Sequence, residues 1–391
     1  MTAEPNDTWA PDSQMEYTMA RAKTPVLDRL VDEVKQAEAG ERNLARIHCR
    51  AWPKLNVEIE NPIAWVRLFG YDPERYFSEP LFNLEQNLRQ KLWRFWNLED
   101  DVPITSRVPA WLGYYPEYTF FGMTVGVRDH GGPDIQTDHP MTRKPDLGLL
   151  EPVEFRTTGM MPTMLRWYED LLELADGRLD IDFFVWDRGC LDIAAQLRGY
   201  ENLMFDTFAR PGFVHDLLKL LVRERCAWYT MAAGYLGAEV GPTFVADDWV
   251  AVPYISPAQF SEFVIPRYLE IEAHHGAFAG FHSCGDQAPL HADMLRLKTL
   301  GTYEVSPWMD LGQALKNLPR DKHLHVAVHP NDVVVDAPEQ MARKLRDKAE
   351  LLRGTDRSFG FGTSGLTPIQ GEQEFVARVN QWLDLARRAF D

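Results

Sequence analysis

His282 and Cys284 stand two apart in the run His282-Ser283-Cys284-Gly285-Asp286. Residues i and i+2 of an extended chain point the same way, so an imidazole and a thiolate at these positions can converge on one ion. Mixed nitrogen and sulfur donors suit Zn2+. The competing reading is a small buried thiol beside a hydrogen-bonded histidine. Asp247 and Asp248 could clamp a substrate, act as a general base, or form a structural ion pair. Side chains alternate across a strand, so one of the two faces any given cavity. Glu304 lies inside the apolar run Tyr303-Glu304-Val305, where a carboxylate is costly unless it finds a partner. It could ligate a metal, hold another ligand, or pair with an arginine. His323, His325 and His329 recur along one strand, with His329 nearest its end. Cys190 precedes a helix and reads most simply as a small buried residue.

These residues need elements that bring them to one place. The clearest unit begins at Ser256-Pro257-Ala258-Gln259, an N-cap, a proline at the first helical position and a capping-box glutamine. Phe260, Phe263, Val264, Tyr268 and Ile271 then share roughly one helical face, and Gly276 stops the helix. A short apolar strand over Ala277–Phe281 leads straight into His282. Further strands are expected at Ile181–Trp186, Thr243–Ala246, Thr302–Val305, Leu324–Val328 and Ser358–Phe361, with weaker runs at Arg107–Trp111 and Met123–Val127. Helices are expected over Pro289–Leu300, Pro338–Arg353 and Glu372–Phe390.

Such alternation builds a parallel sheet. No Gly-x-Gly-x-x-Gly turn marks a dinucleotide-binding open sheet. The expected fold is therefore an α/β (β/α)8 TIM-type barrel over residues 103–391. A helical extension over 18–102 and a polar arm over 1–17 precede it. In such barrels chemistry sits at the carboxyl ends of the strands. Those ends carry Asp187-Arg188, Asp247-Asp248-Trp249, His282-Ser283-Cys284, Glu304 to Trp308, and His329.

The net charge of −17 over 391 residues excludes wrapping nucleic acid or lying on an anionic membrane, since both need a positive surface. No stretch approaches the roughly 20 apolar residues of a spanning helix, and the acidic first residues do not read as a secretory signal. Four cysteines make no disulfide framework. A cytoplasmic protein is expected, with homodimerisation left open.

Taken together, the stretch from Asp247-Asp248-Trp249 through Ser256-Pro257-Ala258-Gln259-Phe260 and Pro266-Arg267-Tyr268 to His282-Ser283-Cys284-Gly285-Asp286 resembles the uroporphyrinogen decarboxylase superfamily. Leu197-Arg198-Gly199, Pro211-Gly212-Phe213 and Glu304 to Trp308 fit the same pattern. The His-x-Cys-Gly loop is similar to the branch that transfers methyl groups with zinc and a corrinoid carried on a separate protein. The resemblance implies that His282 and Cys284 are zinc ligands. That branch draws a third ligand, a cysteine, from the loop after the last strand. Here the loop, Gly360 to Pro368, has none. Glu304 ranks first as its substitute, then His329, then Cys190. A rival account has Glu304 supporting His282 instead. The arginine-rich N-terminal motif of the true decarboxylases is also missing.

The leading expectation is a zinc-dependent methyltransferase or demethylase acting between a small O-, S- or N-methylated compound and a corrinoid or thiol acceptor. Asp247 or Asp248 would bind substrate or move a proton. Trp111, Tyr114, Trp249, Tyr254, Trp308 and His329 would line the pocket. The alternatives are a decarboxylase of a small or aromatic acid, with Arg188 or an arginine of the N-terminal cap gripping the carboxylate, and a barrel that binds ligand without turnover.

Overall fold

The computed structural model describes residues 24–48, 54–127, 132–136 and 138–390. The expected arm over 1–17 lies outside them. Ten strands occur among the described residues: β1 (Lys54–Asn56), β2 (Arg107–Pro109), β3 (Val125–Val127), β4 (Pro133–Ile135), β5 (Asp180–Asp182), β6 (Thr243–Ala246), β7 (Phe278–His282), β8 (Thr302–Val305), β9 (His323–Val328) and β10 (Phe359–Thr363). Strands β3 and β4 form an antiparallel hairpin apart from the rest. The other eight make the (β/α)8 barrel. Parallel ladders join β1-β10-β9-β8, β6-β7 and β2-β5. A parallel bridge between Arg188 and Ala246 ties the chain leaving β5 to β6, and β7 packs beside β8.

Local signals account for most of the elements. The Ser256 capping box forms, with Pro257 opening the helix. A π-helical turn over Phe260–Val264 interrupts it before the helix Ile265–His275 ends at left-handed Gly276. The helices Pro338–Leu352 and Glu372–Phe390 lie where expected. The Pro289–Leu300 segment holds only a 3-10 turn and the short helix His291–Met294. Its Asp293 side chain is instead tied to Ser261 and Arg296.

Two strand assignments change. Met123–Val127 joins the β3–β4 hairpin and not the barrel. The remaining barrel strand is β1, inside the segment expected to be a helical extension. That segment does carry the helices Pro25–Glu38, Glu41–Ile47, Ile63–Phe69, Pro73–Ser78 and Pro80–Asn97. Yet Lys54, Leu55 and Asn56 pair in register with Gly360, Phe361 and Gly362, so the barrel begins before residue 103. The physical signal is a period of two, with Leu55, Val57 and Ile59 buried and Asn56, Glu58 and Glu60 more exposed between them. One continuous apolar core runs from Leu27 in the first helix to Ala389 in the last.

If β1 is a staple of the barrel, Leu55, at 1 % exposure, is a core residue. Leu55→Ala is expected to lower unfolding free energy by about 2–5 kcal/mol, read from urea melts. A loss below about 1 kcal/mol would show that the segment packs only peripherally.

Candidate metal centre

Strand β7 delivers His282 to the barrel mouth, and the chain turns there so that Cys284 comes back against its ring. His282 Nε2 lies 3.3 Å from Cys284 Sγ and 3.6 Å from Asp248 Oδ1. Asp248 comes from the loop just past β6, the neighbour of β7. The donor atoms of Asp248, His282 and Cys284 all lie within 4.8 Å of one another.

The other ring nitrogen is fixed from behind. His282 Nδ1 lies 2.6 Å from Glu304 Oε2. A carboxylate can only accept, so Nδ1 carries a proton, and the Nε2 edge, whose own proton a metal ion would displace, faces Asp248 and Cys284. Asp248 is held in turn: Arg188 Nη1 donates to Asp248 Oδ2 at 3.0 Å and to Asp192 Oδ2 at 3.0 Å, while its Nε donates to the Tyr114 carbonyl at 3.2 Å. One Asp248 oxygen is thus spent on Arg188. The other, Oδ1, is buried with no hydrogen-bond partner.

Electrostatics mark this as a place for positive charge. Burial opposes an imidazolium at His282, but Cys284 and Glu304 outweigh it and push the ring up to about 11. Burial also works against the Asp248 charge, yet contacts with Cys284, Arg188 and His282 hold it below the ordinary carboxylate range. Burial raises the Cys284 thiol.

The donors fit a zinc ion. With metal–ligand distances of about 2.0–2.3 Å, neighbouring donors of a tetrahedral zinc stand about 3.3–3.8 Å apart. The separations of Nε2 from Sγ and Oδ1 are of that size. The unpartnered Asp248 Oδ1 is the atom such an ion would satisfy. One nitrogen, one sulfur and one oxygen donor leave a fourth position open.

Several sequence expectations need correction. Glu304 ranks first among substitutes for the missing cysteine, but its carboxylate sits on the far side of the imidazole at Nδ1, and Asp248 is the acid whose Oδ1 faces Nε2. Asp247, expected to bind substrate or move a proton, does not face the mouth. It is fully buried, accepting from Tyr268 Oη at 2.8 Å and from Leu191 N at 3.0 Å, so it caps the helix Cys190–Arg198. It packs so tightly that a Cβ at Gly189 would come within 2.1 Å of its Oδ2. Burial and Asp192 raise its carboxyl well above the usual range. Cys190 is buried beside it, its thiol pushed up by burial. Arg188 spends Nε on the Tyr114 carbonyl and Nη1 on Asp192 and Asp248, so its first task here is to hold Asp248.

The aromatic expectations divide. Trp249 stacks on Tyr200 at 4.4 Å and meets Tyr254 edge-on at 5.1 Å, just past Asp248. Tyr254 remains 44 % exposed. Trp308, 55 % exposed, packs against His329 at 5.7 Å. His329 Nδ1 accepts from Asn331 N, capping a short helix, and does not join the donor cluster. Tyr114 lies 5.7 Å from the Arg188 guanidinium and edge-on to Trp111.

Glu58, Glu60, Glu117 and Asp187 were not among the expected site residues. Desolvation raises Glu58, with His282 pulling the other way and Glu60 and Glu304 adding to the rise. The alternation from Leu55 to Glu60 was the available signal. Glu117 and Asp187 form a buried acid pair next to Arg188, with Asp187 N donating to Glu117 Oε1 at 3.2 Å. Burial, with Asp187 beside it, raises Glu117 to about 8.

A carboxyl raised in the folded state keeps its proton there while the unfolded chain loses it. The folded state then binds more protons, and stability falls as pH rises. Unfolding free energy is expected to drop between about pH 4.5 and about pH 8, and Glu117→Gln should flatten the slope. Urea melts across that window check this; an unchanged slope in the variant would remove Glu117 as the cause.

No curated protein sequence is significantly similar to the chain. Among solved structures, a methyltransferase from Methanosarcina mazei superposes with a TM-score of 0.58 at 17% identity, covering 90% of this chain and 98% of that one. At that identity the likeness concerns the fold. The family model described as uroporphyrinogen decarboxylase (URO-D) matches residues 115–382, a span that includes Asp248, His282, Cys284 and Glu304. The chain belongs to the uroporphyrinogen decarboxylase family.

Proposed function

We propose that this protein is a zinc-dependent methyltransferase or demethylase. It moves a methyl group between a small O-, S- or N-methylated compound and a corrinoid on a separate protein or a thiol acceptor. The observation that carries this reading is the donor set itself: Asp248 Oδ1, His282 Nε2 and Cys284 Sγ converge while Glu304 occupies the opposite ring nitrogen. The structural likeness to a methyltransferase agrees with it.

Asp248, His282 and Cys284 would hold the ion. When bound, zinc supplies a Lewis acid that lowers the basicity of a coordinated thiolate or polarises the atom bearing the methyl group. Glu304 keeps a proton on Nδ1 of His282, so an ion arriving at Nε2 would displace only the proton on that nitrogen and be held by its lone pair. Arg188 holds Asp248 by one oxygen and leaves the other facing His282. Trp249 and Tyr254 stand beside Asp248 as an apolar wall that favours a small organic substrate over water.

The decarboxylase alternative gave Arg188 the task of binding a substrate carboxylate. The contacts of its Nε and Nη1 with Asp192, Asp248 and the Tyr114 carbonyl favour a role in holding Asp248 over that one.

Elemental analysis after incubation with zinc and gel filtration should find about one zinc per chain, the single site that this donor set makes. Cys284→Ser, His282→Ala and Asp248→Asn should each lose it. Glu304→Gln should weaken affinity by about 10–100-fold, as expected for a group that orients a ligand without touching the ion. Wild-type protein without zinc would overturn the reading. A larger loss in Glu304→Gln would restore that residue as a direct ligand.

A further inference from the structure

A second cavity, of about 440 Å³, opens beside β2 and β5. None of its lining residues is Asp248, His282 or Cys284. Four carboxyl side chains line it, those of Glu117, Asp182, Asp187 and Glu239, and no lysine or arginine does. Trp111, Phe183 and Trp228 contribute aromatic wall. Its volume suits a small organic molecule.

The deepest acid is unfinished. Glu117 is 3 % exposed. Its Oε1 accepts from Asp187 N, but Oε2 is buried with no hydrogen-bond partner. Buried polar atoms are nearly always paired, because an unmade hydrogen bond in a low dielectric is costly. The nearby cations do not meet this need. Arg188 is engaged by Asp192, Asp248 and Tyr114, while Arg225 donates to Trp186 O, Thr243 Oγ1 and Phe244 O.

We infer that this cavity is a binding site for a protonated organic amine with a compact apolar body, its ammonium donating to Glu117 Oε2 and its body packed on Trp111, Phe183 and Trp228. The ammonium would displace the proton that Glu117 otherwise holds, releasing it to solvent; a charged N–H donor makes a stronger bond to a carboxylate than a neutral one does, and aromatic walls favour a cation over an anion. With no lysine or arginine among the lining residues, an anionic ligand finds no cationic partner in the lining. Since Asp187 adjoins Arg188, which holds Asp248, the occupant would lie next to the metal centre without sharing its donors. The inference does not depend on zinc binding.

Benzylamine, a cation at neutral pH, is the probe, with benzyl alcohol and benzoate as controls of similar shape, titrated calorimetrically into the full-length protein. Saturable binding of benzylamine is expected, at least about tenfold tighter than benzyl alcohol, with no binding of benzoate. Glu117→Gln should weaken it by about tenfold or more. Ala233→Leu fills the cavity from its half-buried helical wall and should abolish binding, and it decides the matter if the Gln variant does not fold. Absent or non-saturable benzylamine binding, equal affinity for the alcohol, or unchanged binding in either folded variant would overturn the inference.

Discussion

The 2.6 Å contact between His282 Nδ1 and Glu304 Oε2 joins the ends of two neighbouring barrel strands, and the geometry of the metal centre follows from it. A carboxylate within the β8 run must find a donor or be expelled to water. The imidazole on β7 supplies that donor. Once Nδ1 is committed, the ring can turn only its Nε2 edge toward Cys284 and Asp248. Tautomer and ring orientation are therefore set by strand pairing, before any ligand arrives. This is the preorganisation a catalytic centre requires.

The adjacent acids Asp247 and Asp248 show how one residue of offset separates scaffold from chemistry. Asp247 turns inward, where Tyr268 and the Leu191 amide satisfy one oxygen. Asp248 turns to the mouth, where Arg188 takes one oxygen and leaves the other toward His282. The inward acid caps the helix that carries Asp192, and Asp192 anchors the same Arg188. Asp247 thus supports Asp248 through a helix and a guanidinium. Breaking a buried pair of this kind by removing one partner costs roughly 3–5 kcal/mol, because the remaining charge is left uncompensated.

Charge is distributed unevenly around this core. Asp187, Asp192, Asp248, Glu58, Glu60, Glu117 and Glu304 gather around this end of the barrel with Asp247 buried behind them, against Arg188, Arg225 and the imidazole of His282. The raised carboxyl of Glu117 relieves part of that excess by holding a proton, and a cation at His282, Cys284 and Asp248 would relieve more. The chain's overall charge of −17 points the same way, so a polyanionic substrate meets an opposing field at both long and short range.

The sequence by itself determined the barrel class, most of its strands and the pairing of His282 with Cys284, because these depend on short-range regularities. Strand–helix alternation, the capping box at Ser256 and the two-residue spacing of imidazole and thiol are all written within a few neighbours. It did not reveal β1, whose Leu55, Val57 and Ile59 alternate over too short a run to stand out among helices. Nor could it rank Asp248 above Glu304 as the third donor. Both are carboxylates at strand ends, and local spacing says nothing about which ring nitrogen each will reach. Tertiary structure decided that. Barrel closure sets β6 and β8 on opposite sides of β7, so one acid meets Nε2 with a free oxygen and the other is bound to Nδ1. The coupling of Arg188 to Asp248 across 60 residues and the Glu117–Asp187 pair across 70 have the same origin. Such contacts exist only once neighbouring strands are assembled side by side, since no local propensity encodes them.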